Sequence, residues 1–275
     1  MKKYVQEATD INIWTSIKNN TFERNKDIKE FIDGLELIDE SACISLDAKW
    51  GDGKTFFVRQ IEEVLKYVLV NQWADEENSI EKLPSYKYLK DNEMIAKMEL
   101  KHSYLPIYYN AWMYDNHSDP LMSLLLVMTK TCKGVYDTKI DSEKISKKLI
   151  EVVATLPISL GEFKANPFTA IEKLQGKSMD ILSLVQTEEE IRERVKGIFN
   201  DIIVERAQKL IIFIDELDRC RPSFAIEMLE RIKHYFDDER VIFVVSLNKE
   251  QLIHTITNYY GSGFDATRYL NKFLM

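Results

Sequence analysis

Apolar residues in this chain recur at two different periods, and the places where the period changes mark its elements. Residues 42–47, Ala-Cys-Ile-Ser-Leu-Asp, alternate apolar with polar as a strand does, while Phe56 to Leu69 carries apolar residues at helical spacing. Upstream, Ile28, Phe31, Ile32, Leu35 and Ile38 fall three and four apart, which predicts one or two helices within 11–40, packed over the edge of whatever follows the first strand. Ser103–Asn110 is aromatic and β-branched and predicts a second strand, with Pro106 pointing to a sheet edge or an irregular start. Asp119-Pro120 supplies a cap and a first-position proline for a helix whose run Leu121 to Met128 is nearly all apolar, hence buried. Leu210 to Ile214 is a continuous apolar run of the kind buried on both faces of a parallel sheet. Arg240 to Asn248 predicts a further strand, followed by a helix over Lys249–Tyr259.

Two stretches lack a clean period. Residues 74–102 are charged and weakly periodic, which suits solvated helices or a mobile excursion. From Thr131 to Val204 charged helical patterns alternate, broken by a loop at Pro157–Pro167. Together these predict an α/β domain over 1–275 with helical insertions at about 74–102 and 120–205.

The junction between the first strand and its helix carries chemistry. Ala48-Lys-Trp-Gly-Asp-Gly-Lys-Thr55 is a phosphate-cradling loop in a strand–loop–helix frame. Trp50, Gly51, Asp52, Gly53, Lys54, Thr55 and Phe56 are the expected nucleotide-binding positions. Gly51 and Gly53 let successive N–H groups turn toward phosphate, Lys54 brings charge to the β/γ oxygens, and the Thr55 hydroxyl is a ligand for Mg²⁺. Ala48 replaces the usual leading glycine, at a position that needs a small side chain more than a positive φ.

Asp215 and Glu216 end the continuous apolar run. Asp215 is placed to hold Mg²⁺ through water, and Glu216 to polarise the water that attacks the γ-phosphate, so the expected catalytic set is Glu216, Lys54 and Asn248. Ser246 and Asn248 end the next strand, where either a γ-phosphate sensor or a plain helix cap is expected. Arg219 and Arg221 admit two readings, an arginine finger or partners for Asp218, Glu227 or a local turn. Asn110 and Asp115 sit where the second strand ends, at the sheet edge where ligands bind, and Trp112 reads as a core or interface anchor. The four histidines show no metal-ligand spacing.

Bulk composition removes several function classes. A net charge of -8 argues against broad nucleic-acid binding, and no specific nucleic-acid partner is expected. Cys43, Cys132 and Cys220 are too few and too dispersed for a zinc knuckle or disulfide framework, which points to core thiols in a reducing cytoplasm. No stretch has the roughly 20 apolar residues of a membrane span and no signal peptide opens the chain, so a soluble protein is expected, with peripheral membrane contact left open.

The ordered set Trp50-Gly-Asp-Gly-Lys-Thr55, Asn110-Ala-Trp-Met-Tyr-Asp115 with Asp119-Pro-Leu121, Phe213-Ile-Asp-Glu-Leu-Asp-Arg-Cys220 and Tyr269-Leu-Asn-Lys-Phe273 resembles the KAP family of P-loop NTPases. That family belongs to the additional-strand, catalytic-glutamate division, together with AAA+ and STAND proteins. The resemblance implies a three-layer P-loop NTPase fold with a mostly parallel central sheet and a helical insertion between the Walker A and Walker B strands. It also implies another strand between those two. It further implies a nucleotide-driven switch with a protein partner or self-association, of a kind found in bacterial signalling and phage exclusion. Relatives often carry transmembrane helices in the insertion, which this chain does not match. They also continue past the Tyr-Leu-x-Lys segment into a fifth strand and a helical lid, which implies a fragment or a lidless protein whose first strand lies at a sheet edge. Asp52 stands where many relatives have a small residue, so its charge is expected to point away from phosphate.

An Mg²⁺-dependent ATPase is the leading expectation, from the joint presence of Lys54, Thr55, Asp215 and Glu216. A binding module that holds ATP without turning it over is the alternative. A small-molecule kinase ranks lower, since no acceptor pocket is evident.

Overall fold

The computed structural model describes residues 7–72, 80–117, 119–135, 188–203, 207–236 and 238–274. Most of the expected insertion at 120–205, including its loop at Pro157–Pro167, lies outside the described residues.

Four strands form one sheet: β1 (Ala42–Asp47), β2 (Tyr104–Asn110), β3 (Lys209–Asp215) and β4 (Val241–Leu247). Their order is β1-β4-β3-β2 and every pairing is parallel. The strand carrying Asp215 is therefore separated from the strand leading into the phosphate loop by β4. Parallel strands aligned in this way end together, so Asn110, Asp215 and Ser246 lie side by side in the register. The central strands β3 and β4 are buried along their whole length, which explains why their sequences are unbroken apolar runs. Edge strand β1 is half-buried, and its alternation records that. Pro106 sits on the other edge strand, β2, where a missing N–H is tolerated.

Adjacent residues of β2 show how the layers form, because consecutive strand side chains point to opposite faces. Tyr108 faces α3 (Lys54–Gln72), where the Arg59 guanidinium lies over its ring at 4.7 Å. Tyr109 faces the other way and shares a 2.7 Å hydrogen bond with Ser123 on α6 (Pro120–Val135). Helices thus cover both faces in a three-layer α/β arrangement. The α6 run is buried at Leu121, Leu124, Leu125 and Met128, and Asp119 accepts the Leu121 N–H at 2.8 Å, as the Asp-Pro start predicts.

The N-terminal region forms α1 (Asp10–Lys18) and α2 (Arg24–Leu35), joined by a tight turn. Both pack on α3, and the predicted face Ile28, Ile32 and Leu35 is buried. Between 80 and 102 the structure departs from a solvated excursion. Short helices α4 (Tyr86–Leu89) and α5 (Glu93–Ala96) bury Leu83, Leu89 and Ile95, and Asn92 Nδ2 donates to Ile17 O at 3.1 Å. Their apolar anchors are six residues apart and belong to separate single turns, so no helical period appears in the sequence. Downstream, α7 (Glu188–Ile203) packs on α8 (Pro222–Tyr235), followed by α9 (Lys249–Tyr260) and α10 (Ala266–Leu270).

Candidate functional site

The loop after β1 is built by its glycines. Gly51 and Gly53 have φ of 92° and 81°, in the left-handed region that other residues reach only with strain. At Gly53 a Cβ would also lie 3.4 Å from the Arg24 guanidinium. Asp52 turns back on the loop: its Oδ2 accepts the Lys49 N–H at 3.1 Å, and its own N–H donates to Lys49 O at 3.3 Å. The unfamiliar carboxylate is thus held by loop backbone. Lys54 Nζ reaches across the loop to Ala48 O at 2.5 Å and Lys49 O at 3.1 Å.

The carboxylates stand opposite. Asp215, the last residue of β3, is 1% exposed, with Oδ2 accepting from Tyr108 Oη and Oδ1 from the Glu216 N–H, both at 3.0 Å. Glu216 adopts φ 64°, ψ 25°, a backbone state that costs on the order of 1–3 kcal/mol for a residue with a side chain. This sharp exit from the strand brings Glu216 Oε1 to 3.4 Å from Thr55 Oγ1, while Oε2 pairs with Arg219 Nε at 2.7 Å. Burial pushes the Glu216 carboxyl up from the ordinary range, and Arg219 opposes that rise. Trp50 Nε1 donates to Asp218 Oδ2 at 2.5 Å, tying the phosphate loop to the turn after β3.

A cavity of about 560 Å³ connects these groups. Its walls include Trp50 through Phe56, Asp215, Glu216, Asp218 and Arg219, together with residues of α1 and the α1–α2 turn. The oxygen donors of Thr55, Asp215 and Glu216 suit a hard cation such as Mg²⁺. Among the described residues no three His, Cys, Asp or Glu side chains gather to hold a metal by themselves, so a cation here would draw most ligands from phosphate and water.

Other sequence candidates are placed elsewhere. Asn248 is the cap of α9, its Oδ1 accepting the Gln251 N–H at 3.1 Å, and it does not line the cavity. Ser246 is buried at the end of β4 with its Oγ unpaired, also outside the cavity wall. Asn110 caps the 3₁₀ turn Ala111–Tyr114 through the Met113 N–H at 3.1 Å. Asp115 accepts from the Arg221 N–H and Nε, each at 3.1 Å, so Arg221 is committed to the turn after β2. Trp112 is no core anchor: it is 54% exposed, and the Arg219 guanidinium lies 5.6 Å from its ring centre. Of the two arginines, Arg219 lines the cavity and Arg221 does not.

Tyr108, Arg24, Ser16 and Gln60 shape the site although none belongs to a sequence motif. Arg24 donates to Asp52 O at 3.4 Å and Tyr108 holds Asp215. Gln60 had a visible signal, a polar side chain flanked by Val58 and Ile61 on the buried face of a helix. Tyr108 had none, since an aromatic in a strand needs no polar role.

A model of the KAP family P-loop domain matches residues 24–274 of this 275-residue chain. A search of curated proteins finds no match. No helix among the described residues is long and apolar enough to cross a membrane.

Proposed function

The chain belongs to the KAP family of P-loop domains, and on that premise we propose that it binds ATP with Mg²⁺, hydrolyses it, and uses the cycle as a switch. One observation carries this reading: a single cavity is walled both by the loop Gly51–Thr55 and by Asp215 and Glu216, with Thr55 Oγ1 3.4 Å from Glu216 Oε1.

In this reading Lys54 leaves the loop carbonyls of Ala48 and Lys49 for the β/γ-phosphate oxygens. The N–H groups turned by Gly51 and Gly53 hold the same phosphates, as fixed dipoles aimed at charge that spreads in the transition state. Thr55 and Asp215 would hold the cation, Asp215 with its orientation set by Tyr108 and by the Glu216 N–H. A cation held there would supply positive charge to offset that of the phosphates. Glu216 accepts a proton from the attacking water as its oxygen bonds to the γ-phosphorus and the bond to the β–γ bridging oxygen breaks. Its raised proton affinity favours that role, provided the carboxyl is ionised at working pH. The switch would act on a protein partner or a second copy, in a cytoplasmic signalling or phage-exclusion role; the exposed Trp50, Trp112 and Met113 beside the site support such a contact.

Glu216→Gln tests the assignment. Steady-state ATP turnover is expected to fall about 10²- to 10³-fold while ATP affinity stays within a few-fold; undiminished turnover would show that Glu216 is not the base. A second reading, a binding module nearly inert in isolation, is favoured by the ion pair that holds Glu216 on Arg219. Turnover measured across a protein concentration series separates the two, because an inert module stays inert at every concentration.

A further inference from the structure

The cavity also reaches a buried polar pair, of which Gln60 stands about 9 Å along α3 from Lys54 by helix rise. Ser16 on α1 and Gln60 on α3 both line it, at 4% and 1% exposure. The Ser16 hydroxyl donates its single proton to Ile13 O at 2.6 Å. Toward Gln60 it can therefore only accept, and Gln60 Nε2 donates to it at 2.8 Å. That bond determines which way the amide faces, because the reverse orientation would set the amide oxygen against a hydroxyl with no proton left. Gln60 Oε1 is consequently the group left over, buried and without a hydrogen-bond partner. An unpaired buried acceptor is destabilising, a cost that a ligand donor would recover. The same cavity is lined by the apolar side chains of Ala8, Phe22 and Phe56 and by the polar Glu7, Thr21 and Arg24. Phe22 is 88% exposed and held at φ 58°, in a turn where Asn20 and Glu23 are also left-handed.

From this geometry we infer that the Ser16–Gln60 pair is the base-reading element of the site and selects a 6-amino purine. The inference rests on the nucleotide reading above, since the loop must first hold the phosphates at the other end. An exocyclic amine offers a proton to Gln60 Oε1. A 6-oxo purine offers an oxygen to the same acceptor, and two acceptors facing each other without a proton repel. The rings of Phe22 and Phe56 in that lining suit the faces of a planar base.

The experiment compares equilibrium binding of ATP, GTP and ITP to the full chain, as wild type, Gln60→Met and Ser16→Ala. ITP differs from ATP at the 6-position, with oxygen in place of the amine and a proton on the adjacent ring nitrogen. Wild type is expected to bind ATP at least about tenfold more tightly than ITP. Gln60→Met removes the acceptor at similar volume and should bring the ATP:ITP ratio close to one, chiefly by weakening ATP. Ser16→Ala frees the amide to rotate and present Nε2, which narrows or inverts the ratio. Ser16→Ala lies on a different helix, so its ratio remains informative if Gln60→Met fails to fold, and a general loss of packing would weaken both nucleotides alike. Equal ATP and ITP affinities in wild type, or a wild-type ratio retained in both variants, overturn base reading by this pair while leaving the phosphate site standing. Failure of all three triphosphates to bind overturns both readings.

Discussion

The two ends of the cavity are made in different ways. At the phosphate end the loop from Ala48 to Thr55 is contiguous, and its shape follows from local rules: two glycines at positive φ, a lysine folded over its own loop carbonyls, and an aspartate closing a turn on Lys49. At the other end Ser16, Phe22 and Gln60 come from α1, the turn after it and α3. The first is a motif and the second is an assembly. Phosphate recognition relies on backbone N–H groups that every residue carries, so only the turn need be specified, whereas reading a base edge requires particular side-chain atoms brought from separate elements.

That division can be broken experimentally. The largest effect is expected at Lys54, whose charge serves phosphate alone: Lys54→Ala should weaken ATP binding about a hundredfold or more yet change adenosine binding less than about twofold. Titration calorimetry with both ligands checks it, and equal losses would mean that the ends are not separable. Arg219→Ala should act at the phosphate end by a different route. Its positive charge holds the Glu216 carboxyl below where burial alone would put it, so removing it raises that carboxyl further. Because the base works only when ionised, the acid limb of the turnover–pH profile should move to higher pH and neutral-pH turnover fall roughly a few-fold, with the ATP:ITP ratio unchanged. A loss of about 10³-fold or more, with the limb in place, would instead identify Arg219 as a charge-stabilising finger.

The smallest effect concerns α3 beneath the base end. Burial pushes the Glu62 carboxyl up to about 7, a rise that Arg59 and Lys66 offset only in part and to which Glu63 and Asp10 add. A group whose folded pKa exceeds its unfolded value contributes stability that is complete below the unfolded pKa and lost as pH rises through the folded one. Wild-type stability should therefore decline between about pH 5 and pH 8 by an amount on the order of 1 kcal/mol, and Glu62→Gln should flatten that slope. Urea unfolding at several pH values measures it; an unaltered slope in the variant would show that Glu62 does not titrate in this range. The ATP:ITP ratio should not follow the same trend.

Individual residues show how far legibility reached. Strands β1 to β4 were visible because burial on one or both faces leaves a period in the sequence, and β3 shows it most plainly. Helices α4 and α5 were not, because single turns anchored by Leu89 and Ile95 are too short to have one. The two arginines of Asp-Arg-Cys-Arg were equivalent on paper; they diverge because Asp115, remote in the chain, captures Arg221 and leaves Arg219 at the cavity. Asn248 had two open readings, and its Oδ1 is engaged as the cap of α9.

What the order of residues already contained was the phosphate loop, the acidic pair at the end of a buried strand, and the α/β class, all of which depend on neighbours in the chain. Packing supplied the rest: the Tyr108 hydroxyl on Asp215, the release of Arg219 to the site, and the leftover acceptor of Gln60. Each of these joins residues far apart in sequence, and the energy that selects them is the cost of leaving a charge or a buried polar atom unpaired. That cost becomes specific only once the elements meet.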